Sequence, residues 1–155
     1  YEIVCDPEEM KRNPQNIVDC QFSLPYTVAT SVVNRRVFIQ DFTPEAISRP
    51  DVWEIMSKVK TRIAPEATPS DNRFVGGAIV SIKTKDGKEH TKLVHYVKGH
   101  PKNPMTMGDV IEKFKACLPF SAKPLSENRM NEIVSTVANL EQVDDVAEIA
   151  RLLTL

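Results

Sequence analysis

Apolar positions recur at helical spacing through most of this chain and alternate in a few short stretches. The strongest helical pattern runs from Ser23 to Asn34. Leu24, Val28 and Val32 form one stripe there, and Tyr26, Thr30 and Val33 form the next, so this helix is apolar enough to be buried. Ser23 suits its N-cap, and Pro25 falls in the first turn, where a missing N–H is harmless. Arg36 to Gln40 reads as a brief extended piece. Thr43-Pro44-Glu45 caps a short helix, and Arg49-Pro50-Asp51 starts another with Trp53, Met56 and Val59 on one face. Trp53 reads as a packing anchor. Val110, Ile111, Phe114 and Cys117 make an amphipathic helix, led in by Met107-Gly108-Asp109 and stopped by Pro119. Ile133, Val134, Val137 and Leu140 make the next, starting at Ser126 without a full capping box because Arg129 holds the third position. Val143, Val146, Ile149 and Leu153 continue after a break near Glu141. The apolar end, Leu152 to Leu155, is expected to dock against something.

Alternation predicts the strands. Tyr1 to Cys5 reads as a strand already under way, an opening that suits a piece of a longer protein. Asp6-Pro7-Glu8-Glu9 then begins a short helix or turn, with Asp6 as cap and Pro7 at the first helical position, and 13–16 is loop. Lys60 to Pro65 alternates as a strand, with Val59, Thr61 and Ile63 against Lys60 and Arg62, and 64–72 is an exposed loop. The clearest local signal is Asp86-Gly87 between two strand-like runs, 77–85 and 88–98, which predicts a hairpin with a two-residue loop. That loop pairs Lys85 with Lys88, Lys83 with His90, Ile82 with Thr91 and Val80 with Leu93. One face, Ala78, Val80, Ile82, Leu93, His95 and Val97, should pack inward. The other carries Ser81, Lys83, Lys85, Lys88, His90 and Lys92. The predicted fold is α+β, a small antiparallel sheet with a central hairpin covered by helices over 1–122, followed by C-terminal helices over 123–155.

A chain of 155 residues with 41% hydrophobic and 26% charged positions is long enough for a real core. A formal charge of −1 gives no global reason to bind nucleic acid or an anionic membrane. No apolar run approaches the roughly 20 residues of a membrane span. Cys5, Cys20 and Cys117 are widely separated, which favours reduced thiols and a cytoplasmic setting over disulfides or zinc.

The candidate chemistry is sparse. His90, His95 and His100 do not make a convergent metal set, since His90 and His95 fall on opposite faces of the predicted hairpin. There is no Gly-x-Ser-x-Gly elbow and no phosphate loop, and Gly76-Gly77 suits a bulge. Asp144 and Asp145, about 100° apart if helical, cannot share a site and suit capping instead. Six lysines between Lys83 and Lys102 face two acids, Asp86 and Glu89. They are either a solvated face or a means of attracting small polycarboxylates, for which Lys98 and His100, leaving the hairpin for a loop, are the better candidates. Tyr26, on a buried helix, must either bond a core carbonyl or face a pocket.

Three segments in order carry a resemblance: Gln21 to Val33; Gly99-His100-Pro101-Lys102-Asn103-Pro104-Met105 leading into the helix Gly108 to Lys115; and Val137 to Glu141 followed by Asp144-Asp145-Val146. Together they resemble the C-terminal third of the MmgE/PrpD family, which includes 2-methylcitrate dehydratase, cis-aconitate decarboxylase and iminodisuccinate epimerase. The resemblance implies a large all-helical domain, absent here, and a smaller α+β lid, with the active site between them. It implies small di- or tricarboxylic substrates, no metal or organic cofactor, proton abstraction next to a carboxylate, and a homodimer. The family's catalytic His, Asp and Lys groups belong to the larger domain, so this chain would carry the lid and closing helices and be inactive alone. Tyr26 takes the place of a tyrosine that the family presents to its active site, which implies a catalytic hydroxyl that bonds a substrate carboxylate or assists proton transfer, with Gln21 and Ser23 supporting it as substrate-binding residues. Phe22 stands where some relatives have His, a departure that bears on the reaction. The alternative from another class is a stand-alone α+β binding or dimerisation module.

Overall fold

Ser23 does cap the helix that organises the first half of the chain: its Oγ accepts from the Tyr26 N–H at 3.1 Å. The structure, a computed structural model, describes residues 2–69 and 76–154. The chain divides into two compact units, Tyr1–Val97 and Lys98–Leu155. In the first, short helices α1 (Glu2–Cys5), α2 (Glu8–Arg12) and α3 (Ile17–Gln21) precede α4 (Leu24–Asn34). A 3-10 turn at Ile39–Phe42, α5 (Pro44–Ile47) and α6 (Pro50–Met56) follow. α4 ends where Arg35 enters the left-handed region at φ 62°. Its buried face is Pro25, Tyr26, Ala29 and Thr30. Tyr26 and Ala29 join Cys20, Val52 and Met56 in a core flanked by Val33, Phe42, Ile47, Trp53 and Ile55. Trp53 is the anchor expected of it, its Nε1–H donating to the Ile47 carbonyl at 2.7 Å.

A second 3-10 turn, Pro65–Ala67, leads toward the hairpin of β1 (Ala78–Lys83) and β2 (Glu89–Val94). The second unit holds α7 (Met107–Cys117), a 3-10 turn at Leu118–Phe120, α8 (Glu127–Ala138), another at Leu140–Gln142, and α9 (Ala147–Thr154). Met130 and Ile133 of α8 and Leu152 of α9 are its buried side chains. Asp145 opens α9, accepting from the Ala147 N–H at 3.0 Å and pairing with Arg151 at 2.8 Å, the capping role expected for this acidic pair. The docking expected of the C-terminal residues is met by Leu152, while Leu153 stays exposed and Leu155 lies outside the described residues. The class is α+β, with one two-stranded antiparallel sheet among the described residues.

Several expectations need correction. Glu2–Cys5 is helical, not a strand; alternation over so few residues does not distinguish the two without a partner strand, and Tyr1 lies outside the described residues. Pro7 takes the capping position of α2 in place of Asp6, and α3, capped by Asn16, went unforeseen. Extended backbone at Phe38 gives way at once to the 3-10 turn. Lys60 to Ala64 is not in a strand. Ala67, in the loop expected to be exposed, is fully buried, and 70–72 of that loop lie outside the described residues.

The hairpin register differs by one residue. Ile82 pairs with His90, Ser81 with Thr91, and Val80 with Lys92. The cause is a three-residue loop, Lys85-Asp86-Gly87, closed by Gly87 N–H to the Thr84 carbonyl and Thr84 N–H to the Lys88 carbonyl, both 2.9 Å, with Gly87 at φ 86°. Such a slip exchanges the faces of one strand. Leu93 therefore joins Ile79, and Lys92 joins Val80, Ile82 and Val94, so the lysines do not gather on one face. Lys83 lies opposite Glu89, and Lys88 pairs with Asp86 at 3.0 Å. The expected inward face is not buried: both strands are exposed apart from half-buried Ile79.

Gly77 at the hairpin base has no room for a side chain, since a Cβ there would fall 1.9 Å from the Ala67 carbonyl oxygen. Gly77→Ala should destabilise by at least about 2 kcal/mol in urea unfolding. Gly87→Ala, which meets open space and only the left-handed backbone penalty, should lose about 1 kcal/mol.

Candidate functional site

α4 carries Tyr26 inward. Its hydroxyl donates to the Asp41 carbonyl at 2.7 Å, its ring lies 5.9 Å from that of Phe42, and the residue is 1% exposed. Burial pushes the phenol above its ordinary pKa, so it is a donor at neutral pH. Of the two uses open to a buried tyrosine, this is the core bond to a backbone carbonyl. Asp41 is itself buried and holds the turn around that carbonyl. One carboxylate oxygen accepts from Asn34 Nδ2 at 2.8 Å and the other from the Phe38 N–H at 2.7 Å. Asn34 then accepts from Arg49 Nη1 at 3.0 Å, and Arg49 grips Asp51 through two nitrogens at 3.1 and 2.5 Å. The bonds from Arg49 hold the Asp51 carboxyl below its usual range.

Ser23 is fully buried and doubly engaged: besides capping α4, its hydroxyl donates to the Lys11 carbonyl at 2.5 Å. Gln21 is exposed at the end of α3, beside Phe22, which is 42% exposed. Lys98 and His100 belong to the second unit. Lys98 Nζ donates to Asp109, which also closes a capping box with Thr106 at the start of α7. With Lys98 as the main cause and Thr106 next, the Asp109 carboxyl is lowered to about 2. His100 is half-buried in a tight turn, its Nδ1 accepting from the Lys102 N–H at 3.1 Å while its carbonyl accepts from the Asn103 N–H at 2.7 Å.

Thus Ser23 and Tyr26 come together in the first unit, Gln21 lies exposed two residues before Ser23, and Lys98 and His100 share a loop in the second unit. Sequence reasoning missed Asn34, Asp41, Arg49 and Asp109. Only Asp109 had a readable signal, as the acid three residues after Thr106. A shallow concavity of about 500 Å³ in the second unit, lined by Ser135, Asn139, Asp144, Asp145 and Glu148, includes none of the expected site residues. Its acids would repel a polycarboxylate. Among the described residues no three His, Cys, Asp or Glu side chains group so as to hold a metal ion, and no helix is long and apolar enough to cross a membrane.

The family model of the MmgE/PrpD C-terminal domain matches residues 1–140. The chain belongs to the MmgE/PrpD family. Among curated relatives of this MmgE/PrpD chain, the cis-aconitate decarboxylase of Homo sapiens is 28% identical over 135 residues, covering 87% of this chain and 27% of the relative. That of Mus musculus is 26% identical over 140 residues, covering 90% and 28%, and that of Aspergillus terreus 26% over 149 residues, covering 95% and 29%. The chain therefore spans less than a third of the length of these relatives.

Two predictions follow from the bonds at Tyr26 and Asp109. Tyr26→Phe strands the buried Asp41 carbonyl and should lower stability by about 1–2 kcal/mol in chemical denaturation. If the complete protein is an enzyme, loss of turnover in Tyr26→Phe at unchanged stability would place the hydroxyl in the chemistry, and unchanged turnover would leave it a core bond. For Asp109, the folded-state pKa lies below the unfolded value, so the stabilisation is present above about pH 4 and lost as pH falls toward 2. Carboxyl NMR titration should find Asp109 near 2, and Lys98→Ala should raise it toward the ordinary range.

Proposed function

We propose that this chain serves as the C-terminal part of a cofactor-independent lyase or isomerase acting on a small di- or tricarboxylic acid. The family match over residues 1–140 carries the reading, and relatives named cis-aconitate decarboxylase favour a lyase. Residues 1–122 form the lid, and 123–155 return to a helical domain that holds the acid–base groups. In this reading the reaction starts with proton abstraction next to a carboxylate, from which dehydration, decarboxylation or epimerisation can follow, and it needs a positioned base and fixed cations for the developing charge. The enzyme is a cytoplasmic homodimer in this reading, and the three free thiols suit the compartment.

Within the lid the candidate residues divide by burial. Tyr26 and Ser23 are positioning residues, because both hydroxyls are spent on backbone carbonyls that fix α4 against its neighbours. Gln21, Lys98 and His100 are the substrate-binding candidates, since none is fully buried. Lys98 meets substrate by exchanging the Asp109 carboxylate for one of the substrate's. Such an exchange replaces one charge-assisted bond with another, so little electrostatic energy is lost.

The second reading, a non-catalytic binding or dimerisation module, draws on the exposed apolar residues Val80, Ile82 and Val94, which share one face of the hairpin. The test is an assay of the complete natural protein on cis-aconitate, 2-methylcitrate and related di- and tricarboxylates, followed by NMR with and without chelator. Turnover that survives the chelator, with a raised KM in Lys98→Ala, is the expected result. No turnover of any polycarboxylate by the folded protein would overturn the enzymatic reading in favour of the module.

A further inference from the structure

Asp-Gly occurs once in this sequence, at Asp86-Gly87, and Asn-Gly does not occur. In an unstructured chain this dipeptide is chemically unstable, because no side chain shields the glycine nitrogen from the aspartyl Cγ. A bond forms between that nitrogen and Cγ, the carboxyl hydroxyl leaves as water with the amide proton, and a succinimide ring results. Water then adds back. Addition at Cγ restores aspartate, whereas addition at the main-chain carbonyl gives isoaspartate, with the backbone rerouted through the side-chain carbons. One water is released and one consumed, so the net change is an isomerisation that needs no other reactant.

The hairpin tip exposes this dipeptide to water but engages both of the groups that would react. The Gly87 N–H donates to the Thr84 carbonyl at 2.9 Å. The Asp86 carboxylate is held at each oxygen. Oδ1 accepts from the Thr84 hydroxyl and from the Lys88 N–H at 3.3 Å, and Oδ2 pairs with Lys88 Nζ at 3.0 Å. These bonds, that from the Thr84 hydroxyl first, hold the carboxyl below its usual range. Ring closure needs a protonated carboxyl, since the ionised form has no hydroxyl to lose as water, and it needs a nitrogen free to give up its proton. The turn withholds both.

That protection lasts only as long as the turn does. A two-stranded hairpin is marginal by itself, and both strands here are exposed apart from half-buried Ile79. Fraying at the tip releases the Gly87 N–H and the Asp86 carboxylate together, because Thr84 and Lys88 hold both. Isoaspartate adds one carbon to the main chain between Lys85 and Gly87. Loop length sets the register of a hairpin, so the closing bonds between Thr84 and Lys88 and the pairing of Ile82 with His90 depend on Asp86 staying as it is.

We propose that Asp86 is a site of spontaneous isomerisation to isoaspartate, closed while the bonds from Thr84, Lys88 and Gly87 are made and open to ring closure when the hairpin tip frays. This inference does not depend on the catalytic reading. The full protein is incubated at neutral pH, native and in guanidinium, and isoaspartate at position 86 is counted by mass spectrometry with electron-transfer fragmentation. The expected conversion is at least about tenfold slower in the native protein than in the denatured chain. Thr84→Val removes the hydroxyl and keeps the backbone bonds, and it should speed native conversion at least about threefold. Lys88→Met should also speed it, by freeing the other carboxylate oxygen. Hydrogen exchange of the Ile82 and His90 amides, which bond across the ladder, reports that the strands stay paired in both variants. Equal conversion in the native and denatured wild type would overturn the proposal. So would native conversion that neither variant speeds while the strands stay paired, or a denatured chain that forms no isoaspartate at position 86.

Discussion

The bond from the Tyr26 hydroxyl to the Asp41 carbonyl is the tie on which the first unit depends. It joins α4 to a 3-10 turn fifteen residues later, in the middle of the core. A carbonyl in that position must be satisfied, and the phenol brings its donor on a rigid apolar ring that also packs against Phe42. The Asp41 side chain then shapes the turn that offers the carbonyl, taking Asn34 and the Phe38 N–H. Through Asn34 the chain of bonds reaches Arg49 and Asp51 at the start of α6. α4 and α6 are therefore joined twice, by packing in the core and by polar groups at its margin. Losing Asp41 would unfasten both the turn and the acceptor.

Local chemistry made the helices legible. Ser23, Thr43, Thr106 and Ser126 each accept from a backbone N–H in the first turn of a helix, and all but Thr43, whose helix has four residues, are followed by an apolar pattern of period near four. What could not be read depends on contacts distant in the chain. The pairing of Val80 with Lys92 rests on the left-handed conformation of Gly87 and a third loop residue, which the pair Asp86-Gly87 does not specify alone. α3 is short and mixed in character, so nothing marks it beyond its Asn16 cap. At the site, the sequence allowed Tyr26 either a core bond or a pocket, and the choice rests on a carbonyl that no sequence pattern points to. Asp41 takes the Phe38 N–H three residues back and Asn34 seven back, and no sequence pattern marks either as its partner, so its burial was not legible. Lys98 was seen as a cation, but not as one already matched by Asp109.

That matching applies widely. Lys88 meets Asp86, Lys83 lies across from Glu89, Arg49 grips Asp51, and Lys98 bonds Asp109. Surface pairs of this kind add little stability in water. Within the lysine-rich run such ion pairs take Lys88 and Lys98, while Lys83 only lies across the ladder from Glu89. At Lys98 an incoming anion would therefore bind by exchange with the Asp109 carboxylate.

Such exchange explains why burial, not residue type, separates the roles within the chain. A hydroxyl bonded inside the core cannot be released without stranding a carbonyl, which costs about 1–3 kcal/mol and would be lost from substrate affinity. A solvent-facing lysine on a carboxylate can change partners with little loss, because water screens both states and the incoming group is chemically the same. Ser23 and Tyr26 belong to the first kind. Lys98 belongs to the second, and the low pKa of Asp109 keeps its carboxylate ionised whenever the lysine is available to trade. In the reading proposed above, a lid of this construction would hold its frame through buried neutral bonds while leaving its charged bonds at the surface for a polycarboxylate to compete for.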